Sequence, residues 1–213
     1  YVDNAATTAM SDTAINAMTP YLKEVYGNPS SLHTVGQTAK EAIEDARARF
    51  ARLINADPKE IYFTSCGSEA DNQALRSAAY NGLKKGKKHI VSTAFEHHAV
   101  LHTLKKLEKE GFEVTYLPVS ESGLVTAEQV ERAIRPDTAL ISVMYANNEI
   151  GTIQPIREIG AVCRKAGVVF HTDAVQAVGH IPVDVKADII DMLAVSAHIF
   201  HGPKGVGALY CRK

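Results

Sequence analysis

From about residue 34 onward the chain alternates two kinds of segment, short apolar β-rich runs and longer stretches whose apolar residues recur at helical spacing. Ala39, Ala42, Ile43, Ala46, Phe50, Leu53 and Ile54 define a helix from about Thr34 to Ile54. Ile61 to Thr64 reads as a strand, followed by a small-residue turn and a helical pattern through Leu83. His89 to Thr93 is a second strand, and Val100, Leu101, Leu104 and Leu107 stripe the helix after it. Phe112 to Leu117 is a third strand. Thr126 and Gln129 give a capping-box start to a helix reaching about Ile134. Ala139 to Tyr145 is a mostly apolar strand, and Ile156, Ile159 and Cys163 stripe the next helix. Val168 to His171, Ile189 to Val195 and Val206 to Tyr210 complete the strands. Repeated βα units with apolar strands predict an α/β fold, a mostly parallel central sheet with helices on both faces.

Bulk properties narrow the partners. With 213 residues the chain holds one large domain or two small ones. A net charge of -1 with scattered Lys and Arg gives no footprint for nucleic acid or an anionic membrane. The run Lys84, Lys85, Lys87, Lys88 reads as a solvated helix end. Cys66, Cys163 and Cys211 are irregularly spaced, which fits neither a disulfide framework nor a zinc site. No signal segment and no membrane-length apolar run is recognisable, so the expected location is cytoplasmic. The last residues, Leu209 to Lys213, stop in what reads as a strand, as expected for part of a longer chain.

In such sheets ligands sit at the carboxyl ends of the strands. After Phe63 comes Thr64-Ser65-Cys66-Gly67-Ser68-Glu69, a small turn opening a helix, which is either an ordinary cap or a phosphate cradle. After Thr93 comes Glu96-His97-His98; nothing at i+4 is read as completing a metal set, so no metal is expected, and a flat imidazole can stack on a planar ring. After Tyr145 comes Asn147-Asn148-Glu149, either a turn or a source of ligand-binding amides. After Phe170 comes His171-Thr172-Asp173-Ala174-Val175-Gln176, where a buried acid needs a cationic partner. After Val195 comes Ser196-Ala197-His198, with hydroxyl and imidazole donors. Each signal is weak alone. Together they are the inventory for holding pyridoxal 5'-phosphate (PLP).

Seven blocks then occur in order: Val2 to Thr8, Gly27 to His33, Phe63 to Asn72, Glu96-His97, Asn147 to Gly151, His171 to Gln176, and Ser196-Ala197-His198 with His201 to Gly205. The sequence resembles the NifS/IscS-type cysteine desulfurases, class V aminotransferases within the fold-type I PLP enzymes. The resemblance implies that Gly67 and Ser68 bind the cofactor phosphate, with Ser196 and His198 completing that site. It implies that His97 stacks on the ring and moves protons, and that Asp173 pairs with the ring N–H. Gln176 would reach the phenolic oxygen, and Asn148 would lie near that oxygen and the substrate carboxylate. Ala5 and its neighbours would line the entrance, with residues from about 1 to 33 packing there. The three cysteines read as structural. The family also implies L-cysteine as substrate, a homodimer, and an iron–sulfur scaffold protein as sulfur acceptor.

Two departures stand out. The family pattern is Ser-x-His-Lys, and its lysine forms the Schiff base with PLP; here the residue is Ile199. A hydrocarbon can neither form that bond nor move a proton, and Lys204 matches a different family lysine. An engineered change that traps an intermediate, an error in the recorded residue, or a paralogue that has lost turnover would each put isoleucine there. The resemblance also implies a small C-terminal domain, carrying the persulfide cysteine and the arginine for the substrate carboxylate, that is missing from residues 1–213. Alternative functions are another class V enzyme (a selenocysteine lyase or an aminotransferase) and a non-catalytic scaffold that keeps the fold.

Overall fold

The structure is a computed structural model describing residues 1–213. Its elements are α1 (Asp12–Lys23), α2 (Thr34–Leu53), β1 (Ile61–Thr64), α3 (Gly67–Leu83), β2 (His89–Thr93), α4 (His98–Lys109), β3 (Glu113–Leu117), α5 (Ala127–Ala133), β4 (Thr138–Ser142), α6 (Ile156–Ala166), β5 (Val169–Asp173), β6 (Met192–Ser196) and β7 (Gly207–Cys211). No helix is long and apolar enough to cross a membrane.

One seven-stranded sheet runs in the order β1-β7-β6-β5-β4-β2-β3. The β6-β5-β4-β2-β3 portion is parallel, because the connections from β2 to β3, β3 to β4, β4 to β5 and β5 to β6 are each a crossover that returns the chain to the same edge. β7 inserts antiparallel between β1 and β6. Thr64 and Ser196 both register with Gly207, so the ends of β1 and β6 open on the same edge of the sheet.

Every residue of β2 and of β4 is buried, which explains their near-continuous apolar character. Successive side chains alternate between two cores. Val91, Ile141, Phe170, Leu193 and Tyr210 pack with Ile54, Val130, Ile156 and Ile159 from one helical layer. Ile90 and Leu140 pack with Leu75, Ala78, Val100, Leu104 and Leu107 of α3 and α4 on the other face. Each fully buried Leu, Ile or Phe contributes roughly 1.5–3 kcal/mol. The alternation along β2 and β4 therefore fixes which helices cover which face.

Three details differ from the sequence reading. Ile189 to Asp191 are outside β6: Val185 to Ile190 form a tight turn in which Ile189 has φ 57 and Ile190 N–H reaches the Val185 carbonyl. The apolar residues there signal burial rather than a strand. β4 ends at Ser142, although the N–H groups of Val143 and Tyr145 still reach the His171 and Asp173 carbonyls. Helix α1 went unassigned; Pro20 inside it argues against a helix. The Ser11 cap, whose Oγ accepts from Ala14 N at 3.2 Å, is the local signal for it.

Candidate active site

Where the chain leaves β1, β2, β4, β5 and β6, the loops enclose a cavity of about 220 Å³ lined by fifteen residues. Ala5, Gly67, Ser68, His97, Asn148, Asp173, Gln176, Ser196, His198 and Ile199 are among them. The sequence reading selected all ten, eight of them in five strand-end segments and Ala5 and Ile199 through the family resemblance. The other five are Ala6, Cys66, Asp71, Met144 and Val175. No lysine and no arginine lines the cavity.

One wall is the first turn of α3. Its N-cap, Cys66, is extended and offers no side-chain acceptor to the helix, so the leading N–H groups stay available for an anion. Glu69 turns away from them, its carboxylate accepting from Ser65 N–H and Oγ at 2.6 Å. Gly67 is required by space. A Cβ there would sit 2.6 Å from Val175 Cγ2 and 3.3 Å from Ser196 Cβ, at the point where α3 meets the ends of β5 and β6. Gly67→Ala is therefore expected to cost roughly 1–3 kcal/mol of stability, the usual range for overpacking. Urea melts compare the two proteins, and an unchanged midpoint would show that the cradle yields freely.

Opposite the cradle, Asp173 ends β5. It is 4 % exposed, accepts one N–H from Val175 at 3.0 Å, and belongs to no ion pair. Burial pushes its carboxyl up to about 7, and the nearby Asp71 adds to the rise. His97 caps α4, its Nδ1 accepting from Ala99 N–H at 3.1 Å, which leaves Nε2 as the free ring nitrogen. Asn148 lies in the loop after β4, half-buried.

The N-terminal segment closes one side. Gln176 Nε2 donates to the Ala5 carbonyl at 2.9 Å, so one amide hydrogen is already engaged. His198 Nδ1 lies 3.0 Å from Thr7 Oγ1. Thr8 N–H and Oγ1 both reach the His198 carbonyl, and Thr8 Oγ1 accepts the N–H of His201. Ser196 is buried at the end of β6. Ile199, 2 % exposed, sits in the 3-10 turn Ala197–Phe200 that follows.

Sequence reasoning missed the polar layer below the cavity. Asp71, four residues beyond Gly67, is 1 % exposed, and burial pushes its carboxyl up to about 8. Glu96 is also buried and raised to about 8, chiefly by desolvation. Cys66, read as structural, borders the cradle. A further correction concerns histidines: His102 does stand at i+4 from His98, and their rings stack with centroids 5.3 Å apart.

The site makes two unmet demands. Asp173 is a buried anion without a cation, and the start of α3 is a positive dipole end without an anion. A ligand with a protonated ring nitrogen on one side and a phosphate on the other meets both, and PLP has these two groups. The residues present fit it.

Known proteins agree. The aminotransferase class-V family pattern matches residues 1–213. A curated relative from Methanosarcina thermophila, named cysteine desulfurase IscS, is 54% identical over 213 residues, covering 100% of this chain and 52% of the relative. The solved structure described as SspA in complex with cysteine superposes with a TM-score of 0.96 at 43% identity, over 99% of this chain and 60% of that one. The apo cysteine desulfurase of Thermococcus onnurineus NA1 gives a TM-score of 0.91 at 31% identity, over 100% of this chain and 53% of its own. The chain thus spans about half the length of the curated relatives it matches. With the family pattern matching from the first residue to the last, the chain belongs to the class-V aminotransferases, which depend on pyridoxal phosphate.

Proposed function

We propose that this chain is the PLP-binding half of a cysteine desulfurase, which moves sulfur from L-cysteine to a cysteine thiol and releases L-alanine. One observation carries the reading: ten residues drawn from five strand ends and the N-terminal segment line a single cavity, with the unpaired Asp173 among them. The names of the relatives favour sulfur transfer over the other class-V reactions.

When bound, PLP supplies an electron sink that labilises bonds at the substrate α-carbon. The protein's share is binding and proton control. The N–H groups of Gly67 and Ser68, with the hydroxyls of Ser68 and Ser196 and the free nitrogen of His198, would hold the phosphate. Asp173 would hold the proton on the ring nitrogen, since a carboxylate facing a cation favours the charged form of both. His97, through Nε2, would stack on the ring and exchange protons with the substrate. Asn148, Gln176 and Ala5 would border the substrate carboxylate and the ring oxygen. The thiol nucleophile and the carboxylate-gripping arginine would come from chain beyond residue 213, a homodimer would complete the site, and an iron–sulfur scaffold protein in the cytoplasm would accept the sulfur.

Ile199 stops turnover in this reading, because no side-chain amine lines the cavity. The test uses the full-length protein with Ile199→Lys, PLP, L-cysteine and a thiol reductant. Equal amounts of alanine and sulfide are expected. Amino-group transfer to a keto acid instead would point to an aminotransferase, and selective release of selenium from selenocysteine to a lyase. No reaction of any kind would favour a non-catalytic scaffold.

A further inference from the structure

Beneath the cavity lies a polar cluster that the reading above leaves without a task. Asp71 reaches from the second turn of α3 toward β5, where its Oδ1 lies 3.4 Å from His171 Nε2. At that distance the two atoms are in proximity without a formed hydrogen bond, neither has any hydrogen-bond partner, and both residues are 1 % exposed or less. His171 Nδ1 is held 2.9 Å from Ser142 Oγ on β4. His171 and Asp173 are two residues apart on one strand and so share a face. Glu96 borders the same layer; its Oε1 accepts from Thr93 Oγ1 at 2.8 Å and Met144 N–H at 3.0 Å, while Oε2 is unpaired. The groups facing Asp71 are therefore His171, Asp173 and Glu96, with His97 next to Asp173, and none is a lysine or arginine.

We propose that Asp71 and His171 form a neutral acid–imidazole pair bridged by one proton, a positioning device that leaves Asp173 as the ionised carboxylate of the cavity floor. The bond runs from the Asp71 carboxyl O–H to His171 Nε2, and His171 Nδ1–H donates in turn to Ser142 Oγ. Three carboxylates without a cation cannot all ionise when packed so closely. Burial raises Asp71 and lowers His171 to about 4, so both groups shift toward their neutral forms. An Asp71 carboxylate would raise the proton affinity of Asp173 and weaken its hold on a ring N–H. A protonated Asp71 removes that repulsion. The pair itself needs no cofactor; its effect on a bound ring rests on the function proposed above.

Nitrogen-15 NMR of the histidine rings in this chain, without PLP, tests the pair. At neutral pH His171 is expected as a neutral ring with its proton on Nδ1. Its signal should move as Asp71 loses its proton near pH 8, and this step should vanish in Asp71→Asn, whose amide can still donate to Nε2. An imidazolium at neutral pH, meaning a plain ion pair, overturns the proposal, as does the same titration in the variant. The wild-type spectrum alone separates neutral pair from ion pair, so a variant that fails to fold does not rescue the idea. With PLP added, the alkaline change in cofactor absorbance should likewise disappear in Asp71→Asn; identical profiles would show that the pair does not bias Asp173. Failure of both proteins to bind PLP would overturn the functional reading while leaving the NMR result intact.

Discussion

Asp173→Asn is expected to stabilise the cofactor-free chain at neutral pH and to weaken PLP binding by about a hundredfold or more, the effect of stranding one partner of a buried charge pair. The two effects have opposite signs because they come from one cause. In the free chain Asp173 is buried without a cation, and its carboxyl is raised from 3.8 to about 7. A raised acid keeps its full contribution to stability below the unfolded value. It loses that contribution as pH climbs through the folded value. The stability gap between variant and wild type should thus widen from about pH 4 to pH 7 and then level off. Its size is on the order of a few kcal/mol, given 1.36 kcal/mol per pKa unit. The amide retains an oxygen for the Val175 N–H, so the backbone turn survives. Urea melts across that pH range, with PLP titrations followed by absorbance, measure both sides. Parallel stability curves, or unchanged affinity, would remove Asp173 from the role assigned to it.

The pattern of what the sequence revealed has a physical basis. Strand ends are legible because a parallel strand buried on both faces is a continuous apolar run, and its stop marks the rim where ligands bind. Asp173, Ser196 and Gly67 were found that way. Asp71 was not, since an acid in a helix ordinarily faces water. Only the packing of α3 against β5 buries it beside His171. The engagement of Gln176 with the Ala5 carbonyl spans 171 positions, and no local pattern encodes it. Ile189 misled for a related reason. Apolar residues report burial, and a buried turn with a positive φ reads the same as a strand.

Ile199→Lys is expected to turn removable PLP into covalently held PLP, an all-or-none change. On the function proposed above, cofactor binding in the chain as it stands would rely on the cradle, Asp173 and ring stacking alone. Borohydride treatment of the PLP-loaded chain should leave every lysine unmodified, because an aldehyde in the cavity meets no amine there. In the variant a primary amine replaces a hydrocarbon among the lining groups, two residues before the turn residue His201 that Thr8 ties to the N-terminal segment. Peptide mass analysis should then find one reduced cofactor on residue 199 and none elsewhere. Without cofactor the new ammonium shares the cavity with Asp173, a carboxylate that belongs to no ion pair, so its burial is expected to cost far less than that of an isolated charge. Cofactor reduced onto Lys204 or any other lysine of the unaltered chain would contradict this account, for it would mean that an amine outside the observed cavity wall can reach the aldehyde.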